Sequence, residues 1–191
     1  ELVLARLTTF NKRRTGETEQ LDLKSYTSRP SWDAASISDI KRYLTPLEHH
    51  LMQELDMVYT RGKRGRKVPI LIPAETKVAM DQLTTCRDVC GVPKENPYFF
   101  ARPGCNTNLR ACDSLRELTK EANLQKPHLL RTTKMRKYTA TVSQILNLKE
   151  SQLDWLADHL NWTQHQCSRR LLSSLCTHYR TDKSSQTYVG H

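Results

Sequence analysis

Three cations stand close together directly after a pair of hydroxyl residues: Lys134, Arg136 and Lys137 follow Thr132 and Thr133. Threonine is a good helix N-cap, and apolar residues recur downstream at three-and-four spacing, so a helix is predicted to begin here. Cations are normally favoured at the C-terminal end of a helix, where the dipole is negative. Three of them in the first turn call for a compensating anion, and phosphate is bound well by helix N-termini and guanidinium groups. A solvated basic turn is the alternative, and this stretch alone leaves both open.

A second cationic group lies in the segment from Asp56 to Pro73, whose pattern is typical of a β-hairpin. Two β-branched and apolar runs flank a turn that contains Gly62 and Gly65. The seven residues of the tip include five cations, namely Arg61, Lys63, Arg64, Arg66 and Lys67. Like charges repel across a hairpin, so such a tip is unfavourable without an anionic ligand. We expect it to contact a phosphate backbone, the alternative being a merely solvated turn.

The charge balance of the whole chain favours the same kind of partner. The 191 residues include 30 Lys and Arg against 20 Asp and Glu, for a formal net charge of +10. This balance indicates a polyanionic partner, most often nucleic acid, and the length fits one domain or one domain with a short appendage. No apolar run approaches the roughly 18 residues of a membrane span, and no membrane partner is expected. The chain begins at Glu1 rather than Met, so we expect a piece of a longer protein or an incomplete gene model.

Six cysteines raise the question of a metal site. Cys86 with Cys90, and Cys105 with Cys112, are candidates for the two halves of a zinc site. The spacing is loose, however, and the first pair falls at helical spacing within an apolar face. Free thiols are the preferred interpretation, disulfides are less expected, and neither a metal nor a cofactor is predicted.

The elements that must position these cations are mainly helical. The apolar periodicity predicts helices over residues 1–11, 37–55 (interrupted at Thr45 and Pro46, with Thr45 as the second cap), 76–90, 107–123, 132–148 and 150–160. One strand is predicted over Thr18–Tyr26, and a buried strand or extended segment over Asn96–Ala101. The expected fold class is therefore mainly α with a small antiparallel β-sheet or hairpin, an α+β arrangement.

These blocks, in this order, resemble the catalytic domain of the tyrosine recombinases, the phage-integrase family, and more closely the animal proteins derived from Crypton-type transposons. In the family's first box an active-site arginine is followed three residues on by glutamate, as Arg14 is by Glu17. The family's catalytic lysine lies on a hairpin turn, where Lys63 is the best match. The resemblance implies a recombinase-like catalytic domain over residues 1–160, N-terminally incomplete, and a divergent C-terminal segment over residues 161–191.

The second box of the family is His-x-x-Arg followed by a helix with a Thr-Ala-Thr-like sequence. This chain matches from Arg136 onward, through Thr139-Ala140-Thr141. The family's last polar position, His or Trp, is filled by Trp162. Structural alternatives remain for single residues: Arg14 as an ion-pair partner of Glu17, and Trp162 as a core aromatic.

The resemblance also implies a chemistry. In the family a tyrosine attacks a DNA phosphodiester and forms a 3'-phosphotyrosyl link. Two arginines neutralise the phosphorane-like transition state, and a lysine protonates the leaving 5'-oxygen. Arg14, Arg136 and Lys63 are the residue types that this step needs. Because these cations supply the positive charge, the resemblance implies no metal. Neighbouring cations are expected to contact the DNA backbone, namely Arg13, Arg61, Arg64, Arg66, Lys67, Lys134 and Lys137.

Two positions depart from the family's pattern. Thr133 stands where the family has histidine, three residues before its arginine, and His128 belongs to a lookalike His-x-x-Arg that the helix does not follow. The nucleophile position after Trp162 falls on Leu171, and leucine cannot attack phosphorus. The nearest tyrosine is Tyr179, which would serve only from a lengthened or rearranged last loop. We therefore expect strand cleavage to be lost.

Three hypotheses follow for the function. The preferred one is a DNA-binding protein on a recombinase scaffold with impaired or lost cleavage, which predicts steep salt dependence. The second is a working recombinase that uses Tyr179, and the third is a helical scaffold that binds only proteins. A nuclear location and a homo-oligomer on DNA accompany the first hypothesis.

The apolar pattern decays near the end of the chain, where Ser, Gln, Arg and Thr dominate from Asn161 on. We hypothesise that the coding sequence past His159 is a shifted reading frame or a retained intron. Translation of the transcript in all three frames tests this, and the absence of a tyrosine-bearing helix from every frame would contradict it.

Overall fold

The computed structural model describes residues 1–29, 45–62, 65–145 and 150–159. The chain divides into two compact units, Glu1–Thr132 and Thr133–His191. The elements, in chain order, are α1 (Leu2–Asn11), α2 (Thr15–Glu19), α3 (Leu23–Thr27), α4 (Pro46–Glu54), β1 (Leu55–Arg61), β2 (Lys67–Pro73), α5 (Ala74–Thr85), α6 (Ala111–Glu121), a 3-10 turn (Pro127–Leu130), α7 (Thr132–Ile145) and α8 (Glu150–His159). The predicted fold class, mainly helical with a small antiparallel sheet, is confirmed.

The core of the first unit is formed by α1, the hairpin, and Phe99 and Phe100 from the segment before α6. Leu4 and Leu7 of α1 share one cluster of fully buried side chains with Ile70 of β2. The buried residues are three positions apart in the helix and two apart in the strand, where Ile72 is buried as well, so one face of each element points inward. The ring of Tyr26 packs against that of Phe99, with 4.5 Å between the centroids. Paired aromatic rings of this kind stabilise a core beyond the area that they bury.

Strands β1 and β2 form an antiparallel pair in which Arg61 lies opposite Lys67. Val58 and Ile70 are buried on the inner face, whereas Tyr59 is 45% exposed on the outer face. Alternate residues of a strand point to opposite faces, so the register that buries the apolar residues also turns the cations outward. The hairpin predicted over residues 56–73 is confirmed, and its tip residues 63 and 64 lie outside the described residues.

Two glycines shape the turn of the hairpin for different reasons. Gly62 donates its backbone N–H to Arg66 at 2.8 Å, and a Cβ added to Gly62 would lie 2.5 Å from Cγ2 of Val68. Gly65 adopts φ +74°, a left-handed conformation that other residues rarely take. The turn therefore requires glycine at the first position for space and at the second for backbone geometry.

The predicted strand over Thr18–Tyr26 is wrong. The segment forms α2 and α3, and only Asp22 makes an isolated bridge, to Tyr98. Asp22 is the N-cap of α3 and accepts a hydrogen bond from the backbone N–H of Ser25 at 3.1 Å. The partly alternating pattern of this segment is typical of a strand, but the Asp22 cap stabilises a helix here instead.

The predicted helix over residues 76–90 ends earlier, because α5 stops at Thr85. The hydroxyls of Thr84 and Thr85 donate to the carbonyls of Asp81 and Gln82 at 2.6 and 2.9 Å. Such bonds compete with regular helix geometry. The apolar face assumed beyond this point does not form, since Val89 is 90% exposed.

Helix α4 begins as predicted, with Thr45 as its cap. Glu48 and Thr45 form a reciprocal capping box, in which the backbone N–H of Thr45 donates to the Glu48 carboxylate at 2.7 Å. This hydrogen bond lowers the pKa of Glu48. Residues 37–44, the first half of that predicted helix, lie outside the described residues. No helix among the described residues is both long and apolar enough to cross a membrane.

Candidate nucleic-acid interface

The outer face of the hairpin presents a compact group of cations. Arg61, Arg66 and Lys67 are all exposed, and Arg61 lies directly opposite Lys67 across the strand pair. Within the described part of the chain, none of the three makes an ion pair with a carboxylate. Like charges at directly opposite positions destabilise a strand pair. A bound anion would remove that cost, so the geometry favours an anionic ligand here.

A cleft separates these cations from the end of α3. It has a volume of about 430 Å³ and is lined by Ser25, Ser28, Arg29, Tyr59, Thr60, Arg61, Gly65, Arg66 and Lys67. We call it the α3–hairpin cleft. No carboxylate is among its lining residues, so its field is positive within the described structure.

Arg29 differs from the other cations of the α3–hairpin cleft because its charge is compensated. Its guanidinium lies 3.3 Å from the carboxylate of Asp56 and 3.4 Å from that of Asp81. The same group stacks over the ring of Tyr26, with 4.0 Å to the centroid. The excess positive charge of the cleft is therefore concentrated at the hairpin end.

Arg14, the predicted first-box arginine, lies at the N-cap of α2 with extended backbone geometry and a half-buried side chain. Its carbonyl accepts a hydrogen bond from the backbone N–H of Glu17 at 3.0 Å. The Glu17 carboxylate is held by Arg13, whose Nε lies 3.1 Å away. Arg13 is only 3% exposed, which does not fit the predicted direct contact with DNA. Its ion pair instead positions the turn that carries Arg14.

The residues predicted to form the second box lie on α7, which begins at Thr132 as predicted. Lys134 and Lys137 are exposed, whereas Arg136 is half-buried and Met135 is buried. The first turn of the helix contains no acidic residue. Tyr138 follows the buried Met135 at three-residue spacing, which predicts a place on the same apolar face. It is 69% exposed, so the buried face of this turn is narrower than the spacing predicts.

Three of the residues predicted to contact DNA lie close together in the first unit. The fold gathers Arg61, Arg66 and Lys67 at one end of the α3–hairpin cleft. The remaining predicted residues that lie outside the described residues are Lys63, Arg64, Trp162 and Tyr179, together with Leu171. The catalytic roles that the resemblance implies for Arg14, Lys63, Arg136, Trp162 and Tyr179 stay predictions.

The zinc alternative finds no support in the described residues, where no group of three or more His, Cys, Asp or Glu residues is placed to hold a metal. Cys86 and Cys90 are exposed beyond the end of α5, and Cys105 is half-buried elsewhere in the first unit. The Sγ of Cys105 lies 3.1 Å from the hydroxyl of Thr107, and this hydrogen bond lowers the pKa of the thiol.

Sequence reasoning did not single out four further residues that line the cleft, Ser25, Ser28, Arg29 and Tyr59. A signal existed for Tyr59, which stands two residues before Arg61 in a predicted strand and must share its face. No signal existed for the other three, because they lie at least 26 residues before the first strand of the hairpin and meet it only through the fold.

No family model matches the sequence, and no curated protein matches it. Among solved structures, the chain is similar to the XerH site-specific recombinase bound to palindromic difH substrate in a post-cleavage complex. The TM-score is 0.57 with 14% sequence identity, over 97% of this chain and 45% of that one. A pre-cleavage complex of XerH with difH substrate gives 0.56 and 16%, over 98% of this chain and 45% of that one.

This chain spans less than half the length of either XerH chain. At such low identity the likeness concerns the fold alone. It accords with the element order described above, in which a basic hairpin stands between a short N-terminal helical region and a later helix with cations in its first turn. The chain has a tyrosine-recombinase-like fold, similar to that of the catalytic domain.

Proposed function

We propose that this chain is a DNA-binding domain on a recombinase-type scaffold that holds the phosphate backbone of DNA. The observation that carries the proposal is the register of the hairpin, which places Arg61 directly opposite Lys67 on an exposed face. Neither has a carboxylate partner in the described part of the chain. A backbone phosphate between them would replace a repulsion by two charge-assisted hydrogen bonds.

The wider charge distribution supports a polyanion rather than a single small anion. The chain has a net charge of +10, and a second group of exposed cations, Lys134 and Lys137, begins α7. Each phosphate neutralised by Lys or Arg releases counterions, so the affinity for duplex DNA should fall with salt at a slope of about 0.9 per contact. The XerH structures, each with difH substrate bound, supply a precedent for substrate binding by this fold.

Strand cleavage is not part of the proposed function. The resemblance implies that Arg14, Lys63 and Arg136 would serve the phosphoryl-transfer step, but the position of the nucleophile is occupied by Leu171. Without a nucleophile, the cations can bind a phosphodiester and cannot break it. We further propose a Crypton-type transposon origin and a nuclear location, on the basis of the sequence resemblance and the positive charge.

The test is incubation with a nicked duplex that traps a covalent intermediate, followed by a denaturing gel, with binding read on a native gel at two salt concentrations. The expected result is salt-sensitive binding without an adduct. An adduct that disappears in Tyr179→Phe would show instead a working recombinase with a rearranged last box. Absence of binding at low salt would overturn the proposal and favour a protein-binding scaffold, for which the exposed Leu47 and Leu51 of α4 would be the first surface to examine.

A further inference from the structure

The α3–hairpin cleft combines cations with an exposed aromatic ring. Arg61 and Lys67 line one part of it, and Tyr59 stands two residues before Arg61 on the same strand face. Tyr59 is 45% exposed although it belongs to the middle of a strand. Proteins that bind single-stranded nucleic acids combine a flat aromatic surface with cations, because every base has a face that stacks and every nucleotide has a phosphate. Among the described residues, neither Arg61 nor Lys67 beside Tyr59 has a carboxylate partner.

We propose that the α3–hairpin cleft holds one nucleotide of a single-stranded stretch of nucleic acid, with its base against Tyr59 and its phosphate between Arg61 and Lys67. The inference rests on the proposed DNA binding and deepens it, because it names the form of nucleic acid that this cleft accepts.

The polarity of the cleft gives the nucleotide an orientation. At the α3 end, the hydroxyl of Ser28 already donates to the carbonyl of Lys24 at 2.7 Å, and Arg29 is compensated by two carboxylates. These groups have little to offer a phosphate. At the hairpin end, Arg61 and Lys67 have no carboxylate partner among the described residues. The phosphate therefore belongs at the hairpin end, and the base lies toward α3.

The outer face of the hairpin provides the platform for the base. Tyr59 lies opposite Pro69 in the strand register, so a ring and a pyrrolidine adjoin on one surface. Pro69 is half-buried and carries no charge. A base that stacks here removes apolar area from water without leaving a buried polar group unpaired.

The size of the cleft favours a single nucleotide over an intact duplex. Its volume of about 430 Å³ falls within the roughly 300–1,000 Å³ of pockets that enclose small ligands. A duplex keeps the faces of its bases stacked inside and presents phosphates outward, so it would engage the cations and leave Tyr59 uncovered. A single strand can place a phosphate between Arg61 and Lys67 and a base against Tyr59 at the same time.

The experiment compares three labelled probes by fluorescence anisotropy: oligothymidylate of about 12 nucleotides, the same strand with abasic sites, and a duplex. Tyr59→Ala is expected to weaken oligothymidylate binding about tenfold, because it removes one stacked base, while abasic and duplex binding change less than twofold. Tyr59→Phe retains the ring and should bind like the unaltered protein. Lys67→Gln should weaken all three probes, because every one of them offers phosphates.

The outcomes separate the inference from the proposed function. If Tyr59→Ala weakens binding of the oligothymidylate and abasic probes equally, or weakens neither, the single-nucleotide site is overturned. In that case, duplex binding by the unaltered protein would still support the proposed function. Failure of the unaltered protein to bind any probe overturns the proposed function itself. A far-ultraviolet circular dichroism spectrum and melting curve of each variant establish that the compared proteins are folded.

Discussion

The side-chain amide of Asn11 pairs with both backbone groups of Leu71. Its Nδ2 donates to the carbonyl of Leu71 at 2.8 Å, and its Oδ1 accepts from the N–H of Leu71 at 2.9 Å. The amide thus takes the place of a neighbouring strand at the edge of β2, and the side chain is 2% exposed. This pairing ties the end of α1 to the hairpin, close to the turn that carries Arg14, the predicted first-box arginine.

We predict that Asn11→Ala lowers the free energy of unfolding by about 2 kcal/mol, because the N–H and carbonyl of Leu71 lose the Asn11 amide in a partly buried environment. Urea denaturation followed by circular dichroism measures the change. The exposed Asn106→Ala serves as the matched control and should remain within about 0.5 kcal/mol of the unaltered protein. A loss below about 1 kcal/mol in Asn11→Ala would show that water replaces the amide at little cost.

The buried ion pair between Arg13 and Glu17 should be costly to break on one side. Both side chains are at most 5% exposed, so Arg13→Met leaves a buried carboxylate with a partner removed and is expected to cost about 3–5 kcal/mol. The double variant Arg13→Met with Glu17→Met should regain much of that loss, since it removes both charges. Arg116→Met, which breaks an exposed pair with Asp113, is the control and should cost about 1 kcal/mol or less. Equal losses in Arg13→Met and Arg116→Met would contradict the assigned role.

The hairpin cations should dominate the salt dependence of DNA binding. Lys67→Gln removes one phosphate contact and is expected to reduce the slope of log affinity against log salt by about 1, with weaker binding to every duplex sequence. Titrations at four salt concentrations give the slope. Lys94→Gln makes the same charge change at an exposed residue outside the hairpin and should alter the slope much less. Identical slopes for the two variants would mean that only net charge matters.

The two turn glycines should respond differently to alanine. Gly62→Ala places a Cβ 2.5 Å from Cγ2 of Val68 and must displace a buried strand residue, so it should lower stability and DNA affinity together. Gly65→Ala meets no atom within 4 Å and only strains the backbone at φ +74°, at a cost of about 1 kcal/mol. Thermal melting and gel-shift titration of both variants test the contrast. A greater loss in Gly65→Ala than in Gly62→Ala would contradict this account of the turn.

Stability should fall at alkaline pH because of Tyr26. Burial, followed by the hydrogen bond that its hydroxyl donates to Asp81 at 2.7 Å, raises the pKa of Tyr26 in the folded protein. The stabilisation is fully present below the unfolded pKa of about 10 and is lost as the pH rises above it. Urea denaturation at about pH 9 and about pH 11 measures how much the free energy of unfolding falls between the two pH values. This fall should be smaller in Tyr26→Phe than in the unaltered protein. Tyr138→Phe removes a hydroxyl at an exposed position and serves as the control for the substitution itself.

Local patterns in the sequence were sufficient for most of the fold. Thr45 with Glu48 predicted the start of α4, and alternating apolar residues with two glycines predicted the hairpin, because capping and strand alternation depend on neighbours along the chain. The strand predicted around Asp22 failed where two local patterns competed. An alternating pair of leucines suggested a strand, whereas the aspartate cap determined a helix.

The sequence by itself determined the types of residue available to the site: the basic hairpin tip, the cations that begin α7, and Leu171 where the resemblance requires a nucleophile. The tertiary structure decided which of those charges are free to bind. It buried Arg13 against Glu17 and compensated Arg29 with two aspartates, while it left Arg61 facing Lys67 across an outward strand face. The physical reason is that an ion pair between residues distant in sequence depends on how the chain packs. Arg29 meets Asp56 and Asp81 only once α3, the hairpin and α5 share one core.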